Sequence, residues 1–399
     1  MESPPTPVTF ENFRDSEFGE NGYRDAQKQG ISLLMVGWTS NQALHSDEPV
    51  SIPNPPEVEL SEILDKQREI RKAGQCLHYV QEEYCGEVIE AHSIQKSGAL
   101  TSIAENGEVY TPSSSYGDIK KNQGLIILRR QNIKSVSTFR GFCKTHDNEI
   151  FRPIDDRPLV PTSKQAFLYA YRSLCREVYA KKCAFQNYEY QLGVFDGTTA
   201  TREMIEGARE GTRRALTQLL RQKKFFDDSH QSERFEDARY VIFASKSEPS
   251  IVFSGSLFPQ FGFGGEILQD LSIIGNLDFI TFSFAQMADG WGIVFSWHKM
   301  SDEYCHAMLG TLAWATNRSY KNLEGLLINL ILTSCENMAI SPTWLESLSV
   351  SQRDAVTQAI SYGADPLSLP RQDYLATSLE ELVDWRIDSV FESEHLPEK

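Results

Sequence analysis

STFRGFCKTHDNEIF, residues 137–151, places Cys143 and His146 three positions apart, where a short strand-like run gives way to a helical one. Cys-x-x-His is one half of a zinc site at the usual close spacing. The other half is offered upstream by Cys76 and Cys85, nine positions apart, with His78 between them. EVIEAHSIQK, residues 87–96, then carries His92. Three of the seven Cys and three of the eight His fall between residues 76 and 147, a concentration that favours one shared metal over scattered roles. Zinc takes four N or S ligands in a tetrahedron, and thiolates bind it tightly. A closed set of Cys76, Cys85, Cys143 and His146 is therefore read as a structural Zn2+ site. The alternative is a coincidence of unrelated core Cys and surface His.

The flanking sequence suits a metal-dependent module. Between residues 76 and 160 the apolar runs are short, GLIILRR at 124–130 being typical, and Gly and Ser interrupt them. Such a segment lacks the core to fold unaided, and a metal makes up that deficit. Ahead of it, ISLLMVGW at 31–38 reads as a strand or buried segment, and SDEPVSIPNPPEVE as a linker. A helix is predicted over 57–73, ended by Gly74. After it, Phe167, Leu168, Tyr171, Leu174, Cys175 and Val178 keep a 3.6 period and predict a helix over 163–183, with a second over about 200–225. Strands follow at 239–245, 250–256, 277–287 and 291–297, the last two joined by a tight turn at ADG. Trp291, Ile293, Phe295 and Trp297 alternate with smaller residues, which predicts one buried face. Helical patterns return over 301–315, 320–335 and 350–362. The stretch 363–399 has nine acids against three bases and reads as a solvated acidic end.

The segment EAHSIQK followed by FCKTHDN resembles HNH endonucleases built on a treble-clef finger, over about residues 74–155. The resemblance implies a first knuckle at Cys76 and Cys85 and a second at Cys143 and His146. It implies His92 as the base that activates water, and Asp147 at the position of a second metal ligand. It implies phosphodiester hydrolysis assisted by Mg2+ or another divalent ion beside the zinc. Fingers of this kind fused to unrelated domains imply a bacterial defence or mobile-element setting. The sequence departs from the family at Ala91, where an acid or His is common, and at Thr138, where Asn is expected. It also places fifty residues between His92 and Cys143. His92 is thus open to three roles: catalytic base, zinc ligand, or structural histidine.

Charge bears on partners. The chain carries 39 Lys plus Arg against 55 Asp plus Glu, a net charge of −16, which excludes non-specific coating of nucleic acid. Residues 119–152 run the other way, with eight basic residues against Asp147 and Glu149. Lys120, Lys121, Arg129, Arg130, Arg140 and Lys144 are the candidate contacts to DNA or RNA phosphates. The alternative is a solvated face balanced by acids from elsewhere. No GxxxxGK[ST] or GxGxxG marks a phosphate cradle, and the absence of GxSxG and HExxH argues against a serine hydrolase or a zincin. FGFGGE at 261–266 reads as a loop, and His298 as a satisfied partner. The longest apolar runs, such as LLINLIL at 326–332, are far short of a membrane span, and the start MESPPTPVTFENF has no signal-peptide pattern. A cytoplasmic protein with no membrane partner is expected.

The expected fold is α+β: a zinc-stabilised treble-clef module, then helices, then a larger α/β C-terminal domain with an antiparallel sheet. The boundaries are 1–56, 57–160, 161–235, 236–362 and 363–399. Two functions follow: an HNH-like nuclease, or a non-catalytic zinc-stabilised module that binds nucleic acid, or a protein through the C-terminal domain.

Overall fold

A computed structural model of the chain describes Pro7 and residues 60–79, 85–113, 126–194, 199–273, 275–364 and 370–393. The run at 31–38, the linker after it, Lys120 and Lys121 lie outside the described residues. Helix α1 spans Leu60–Ala73, strand β1 Val88–His92, β2 Glu108–Ser113, β3 Ile127–Asn132 and β4 Thr138–Cys143. Helices α2 (Lys144–Asp155), α3 (Ser163–Val194) and α4 (Thr199–Gln231) follow. Then come β5 (Ala238–Ser245), β6 (Ile251–Leu257), β7 (Ile280–Gln286), β8 (Trp291–His298), α5 (Asp302–Arg318) and α6 (Leu323–Ser334). The last elements are β9 (Met338–Ile340), α7 (Pro342–Ser347), α8 (Val350–Ala364) and β10 (Ser389–Glu392). The fold is mixed helix and sheet, and both of its sheets are antiparallel.

The large sheet has the order β10-β5-β8-β7-β6-β9-β2-β3, and β1 pairs with β4 in a separate ribbon. Its central strands are apolar because both faces are covered. Val241 and Phe243 point into one core with Phe295, Leu309 and Leu327. Tyr240, Ile242 and Val294 point into the other, with Phe167, Tyr171 and Phe226. This is the period of two along a strand, with apolar partners on each side. The expectation of one buried face on β8 is therefore corrected, since every residue of Trp291–His298 is buried. The helices α5 and α6 cover one face, and α3 the other.

α3 is the axis of the molecule. Its first half is buried all round, as a helix apolar on every side must be. Ser173 Oγ lies 2.8 Å from Ser254 Oγ and 2.9 Å from Ser283 Oγ, so the helix meets the sheet where small hydroxyls allow close approach. α4 runs antiparallel to it: Tyr171 Oη donates to Asp227 Oδ1 at 2.7 Å, and Arg209 reaches Glu189. Lys223 Nζ lies 2.7 Å from Asp227 Oδ2, closing a buried network in which charge and donor are both satisfied.

Two organisational expectations change. Strands β2 and β3 come from the segment read as the zinc module, yet they join the large sheet through β9, where Tyr110 opposes Ile340. The tail read as solvated is packed: Leu375, Leu382, Trp385 and Val390 are buried, and Trp385 meets Trp291 edge to face at 5.3 Å. β10 pairs with β5 and adds an edge strand to the large sheet, with Val390 buried.

Candidate metal centre

The site is built at the junction of α1, the β1/β4 ribbon and α2. α1 ends at Ala73 because Gly74 takes φ +62, a conformation that favours glycine. A Cβ there would also lie 2.6 Å from Arg140 Cβ. The turn sends residues 75–77 along β4, where Gln75 N–H donates to Arg140 O at 3.0 Å and Leu77 N–H to Gly141 O at 2.8 Å. That places Cys76 beside the end of β4. Cys143 is the last residue of β4 and the N-cap of α2, opposite Val88 in the ribbon register. His146 stands in the first turn of α2, and Cys85 lies just ahead of β1.

The ligand atoms of Cys76, Cys85, Cys143 and His146 lie within 4.8 Å of one another. His146 Nδ1 is 3.4 Å from Cys76 Sγ, 3.6 Å from Cys85 Sγ and 3.3 Å from Cys143 Sγ. One imidazole nitrogen has one proton or one lone pair, so it cannot serve three thiols as hydrogen-bond partners. A tetrahedral ion with metal–sulfur bonds of about 2.3 Å and a metal–nitrogen bond of about 2.0–2.1 Å separates S from N by about 3.6 Å. The observed spacings fit that edge, so the four residues can hold one metal ion.

The electrostatics agree. Burial, with the neighbouring Cys76 and Cys143, pushes the Cys85 thiol up to about 11. Burial works against ionisation of Cys143 too. There the backbone N–H groups of His146, Gly86 and Thr145, with the Cys76 thiol, carry the pKa below the ordinary thiol value. Thiols this close repel as thiolates, and a cation between them removes the conflict. Outside the ligands, the His78 ring stacks on His146 with centroids 3.9 Å apart. Tyr79 Oη lies 3.2 Å from His230 Nδ1, which ties the knuckle to α4.

His92 and Asp147 stand differently. His92 ends β1 opposite Thr138, and its Nε2 is 3.0 Å from Ile133 O. Nε2 therefore carries the proton, and Nδ1 is the basic atom. Burial lowers its pKa, and Lys96 and Arg172 lower it further against the pull of Ile133 and Asp155. Asp147, in the first turn of α2, has its pKa raised by burial, with Arg172 opposing. Arg172 of α3, counted in the sequence only among the basic residues of its helix, proves to be buried beside this site. It is 2% exposed and donates to Asp155 Oδ1 at 2.8 Å and Oδ2 at 2.6 Å. Its guanidinium also lies over the Phe151 ring at 4.2 Å. A fixed cation thus already faces the carboxylates where a second metal would be needed. Among the described residues, the Cys/His group is the single cluster of three or more ligating side chains. The signal for Arg172 was available: a charged residue inside the apolar run FLYAYRSLC.

Of the candidate nucleic-acid residues that the structure describes, Arg130 and Arg140 are engaged within the protein. Arg130 reaches Glu346 at 2.6 Å and Glu105 at 3.5 Å, and its guanidinium lies over the Tyr110 ring. Arg140 donates to Val88 O at 2.7 Å. Arg129 and Lys144 are exposed, on β3 and at the start of α2. His298 is the satisfied partner expected of it: Nδ1 accepts from Met300 N–H at 3.2 Å, and Nε2 lies 3.1 Å from Ser229 Oγ. Among the described residues no helix is long and apolar enough to cross a membrane. A scan against family models and searches of curated proteins and of solved structures find no match to this chain.

Proposed function

We propose that Cys76, Cys85, Cys143 and His146 hold one structural Zn2+ in a treble-clef arrangement, and that the chain is a zinc-anchored binding protein without hydrolytic activity. The observation that carries this is His146 Nδ1 facing three sulfurs at 3.3–3.6 Å. All four tetrahedral positions are filled by protein, which is the mark of a structural site, since a catalytic one keeps a position open. When bound, the ion cross-links the end of α1, the ribbon and α2. The order knuckle, ribbon, helix supports the treble-clef description. The bidentate Arg172–Asp155 pair supports the non-catalytic half of the proposal, because it supplies the positive charge that a hydrolytic Mg2+ would bring.

Elemental analysis of the purified chain tests the first half. One zinc per chain is expected, lost in Cys143→Ser and kept in His92→Ala; no metal in the wild type would overturn it. Incubation with single- and double-stranded DNA and RNA in Mg2+ or Mn2+ tests the second half. Cleavage that disappears in His92→Ala would restore the nuclease reading.

A further inference from the structure

A cavity of about 850 Å3 opens between α1, β4, the middle of α3 and the α6–β9 junction. It is within the range of small-molecule sites. Its charge is opposite to that of the chain. Arg68, Arg71, Lys72, Arg140 and Arg176 line it, against the carboxylates of Glu90 and Glu336, while the whole protein carries −16. Arg68 is engaged by Asp65 at 2.5 Å, and Arg176 contacts Glu177. Arg71 and Lys72 are exposed on the last turn of α1. Arg140 spends Nη2 on Val88 O, and no protein group takes up its Nε. Asn187 Oδ1 on α3 has no donor either. Cations therefore line the cavity from α1, β4 and α3, with a donor and an acceptor among the lining unspent.

Phe139, Tyr179, Tyr188, Leu332, Met338 and Ile360 also line it. A second cavity of about 250 Å3 shares Arg176, Ser334, Cys335 and Glu336 with the first, so room continues past the Arg176 guanidinium. Arginine clusters suit phosphate, whose oxygens accept two parallel N–H bonds. Aromatic rings suit a planar base. An unspent acceptor such as Asn187 Oδ1 suits a ligand with its own N–H or O–H donors. Inorganic phosphate offers no ring and fills little of this volume. A nucleotide has the anion, the ring, the donors and the size.

We propose that this cavity binds a nucleoside monophosphate, with the phosphate toward Arg71, Lys72 and Arg140 and the base among Phe139, Tyr179 and Tyr188. The proposal deepens the binding reading above and rests on it in one respect: the wall made by α1 and β4 is the one that the Cys/His set clamps at Cys76 and Cys143.

Isothermal titration calorimetry on zinc-replete full-length protein tests it, with AMP, GMP, CMP and UMP, their nucleosides, and inorganic phosphate. At least one nucleotide should bind one-to-one, and its nucleoside about tenfold or more weakly, since charge-assisted bonds to phosphate are lost. Arg71→Ser/Lys72→Ser should weaken the nucleotide by about tenfold or more, with zinc content and circular dichroism unchanged. Ala184→Phe, which fills the cavity from α3, should abolish binding. The proposal is overturned if no nucleotide binds the zinc-loaded chain, if nucleoside and nucleotide bind equally, or if the double variant binds like the wild type. A single-stranded oligonucleotide that binds far more tightly than any mononucleotide would also overturn it, in favour of a polynucleotide groove. Because zinc is measured in the same samples, absence of metal counts against the earlier reading, and absence of binding by loaded protein counts against this one.

Discussion

Asp155→Asn is the perturbation that separates a structural Arg172 from a displaced metal site. Arg172 is buried at the side chain, 3% exposed, whereas the Asp155 side chain is 36% exposed. Removing one partner of a buried pair costs about 3–5 kcal/mol, because the other charge is left without compensation. Here asparagine keeps one acceptor oxygen and water reaches the site from the Asp155 side, so about 2–3 kcal/mol is expected. Arg172→Met removes the buried charge and keeps a side chain over Phe151. Asp155 can then rehydrate, and the expected cost is smaller, about 1–2 kcal/mol. The double variant should cost less than the sum of the two by about 1 kcal/mol or more, the sign of a direct pair. Urea titration of the three variants and the wild type, all zinc-loaded, measures these values. Mn2+ or Mg2+ added to the zinc-loaded wild type should leave the curve unmoved. Additive single variants would refute the pairing argument. Stabilisation of the wild type by Mn2+, absent in Asp155→Asn, would refute the claim that Arg172 takes the place of a metal.

Three further expectations follow from single sites. Burial holds the Asp278 carboxyl up at about 6, with the charges of Glu303 and Asp302 adding to it and the Tyr304 N–H at 2.8 Å and the Arg221 guanidinium offsetting it in part. A folded pKa above the unfolded 3.8 means that stability is lost as pH rises through that window, so Asp278→Asn should flatten the melting profile between pH 4 and 6 and gain up to about 3 kcal/mol at pH 7.5. Burial holds His298 down at about 4, below its unfolded 6.5. Its contribution is present above 6.5 and lost as pH falls toward 4, worth up to about 3 kcal/mol, and His298→Gln should remove that acid-side slope in denaturant titrations. Gly74→Ala forces a Cβ to within 2.6 Å of Arg140 Cβ at a positive φ. It should cost about 2 kcal/mol or more and speed zinc loss to a colorimetric chelator, since Cys76 is two residues away; a zinc release rate equal to the wild type would show that the turn does not position the knuckle.

The long elements were legible because their patterns are local. The 3.6 period of Phe167, Leu168, Tyr171, Leu174 and Val178 and the β-branched runs of β5–β8 each carry their own signal. The extension of α3 to Val194 was not, because past Val178 the helix leaves the core and its apolar stripe fades. Neither was the incorporation of β2 and β3 into the large sheet, which depends on the three residues Met338–Ile340 pairing across more than two hundred positions. The tail misled for a different reason. Its nine acids outweigh three bases on average, but Leu375, Leu382, Trp385 and Val390 recur between them and are the part that packs.

At the site, Cys76, Cys85, Cys143 and His146 could be picked out because thiols are rare and thiol–imidazole spacing is constrained by coordination geometry. The surroundings of His92 and Asp147 could not, because Arg172 acts on them from a helix remote in sequence, and a charge count does not show that it is buried. The same limit applies to the basic stretch 119–152. A count of charges along the chain does not say which cations are spent internally. Arg130 is held by Glu346, 216 positions away; Arg140 by a backbone carbonyl; and Arg152 by Asp156. One of them, Arg140, also lines a cavity that no linear window contains. Arg71, Arg140 and Arg176 all line it because α1, β4 and α3 converge there, with residues 75–77 bonded along β4. Of the basic residues of 119–152 that the structure describes, Arg140 is the one that lines this space, so the charge count of that stretch does not by itself mark a surface for a duplex.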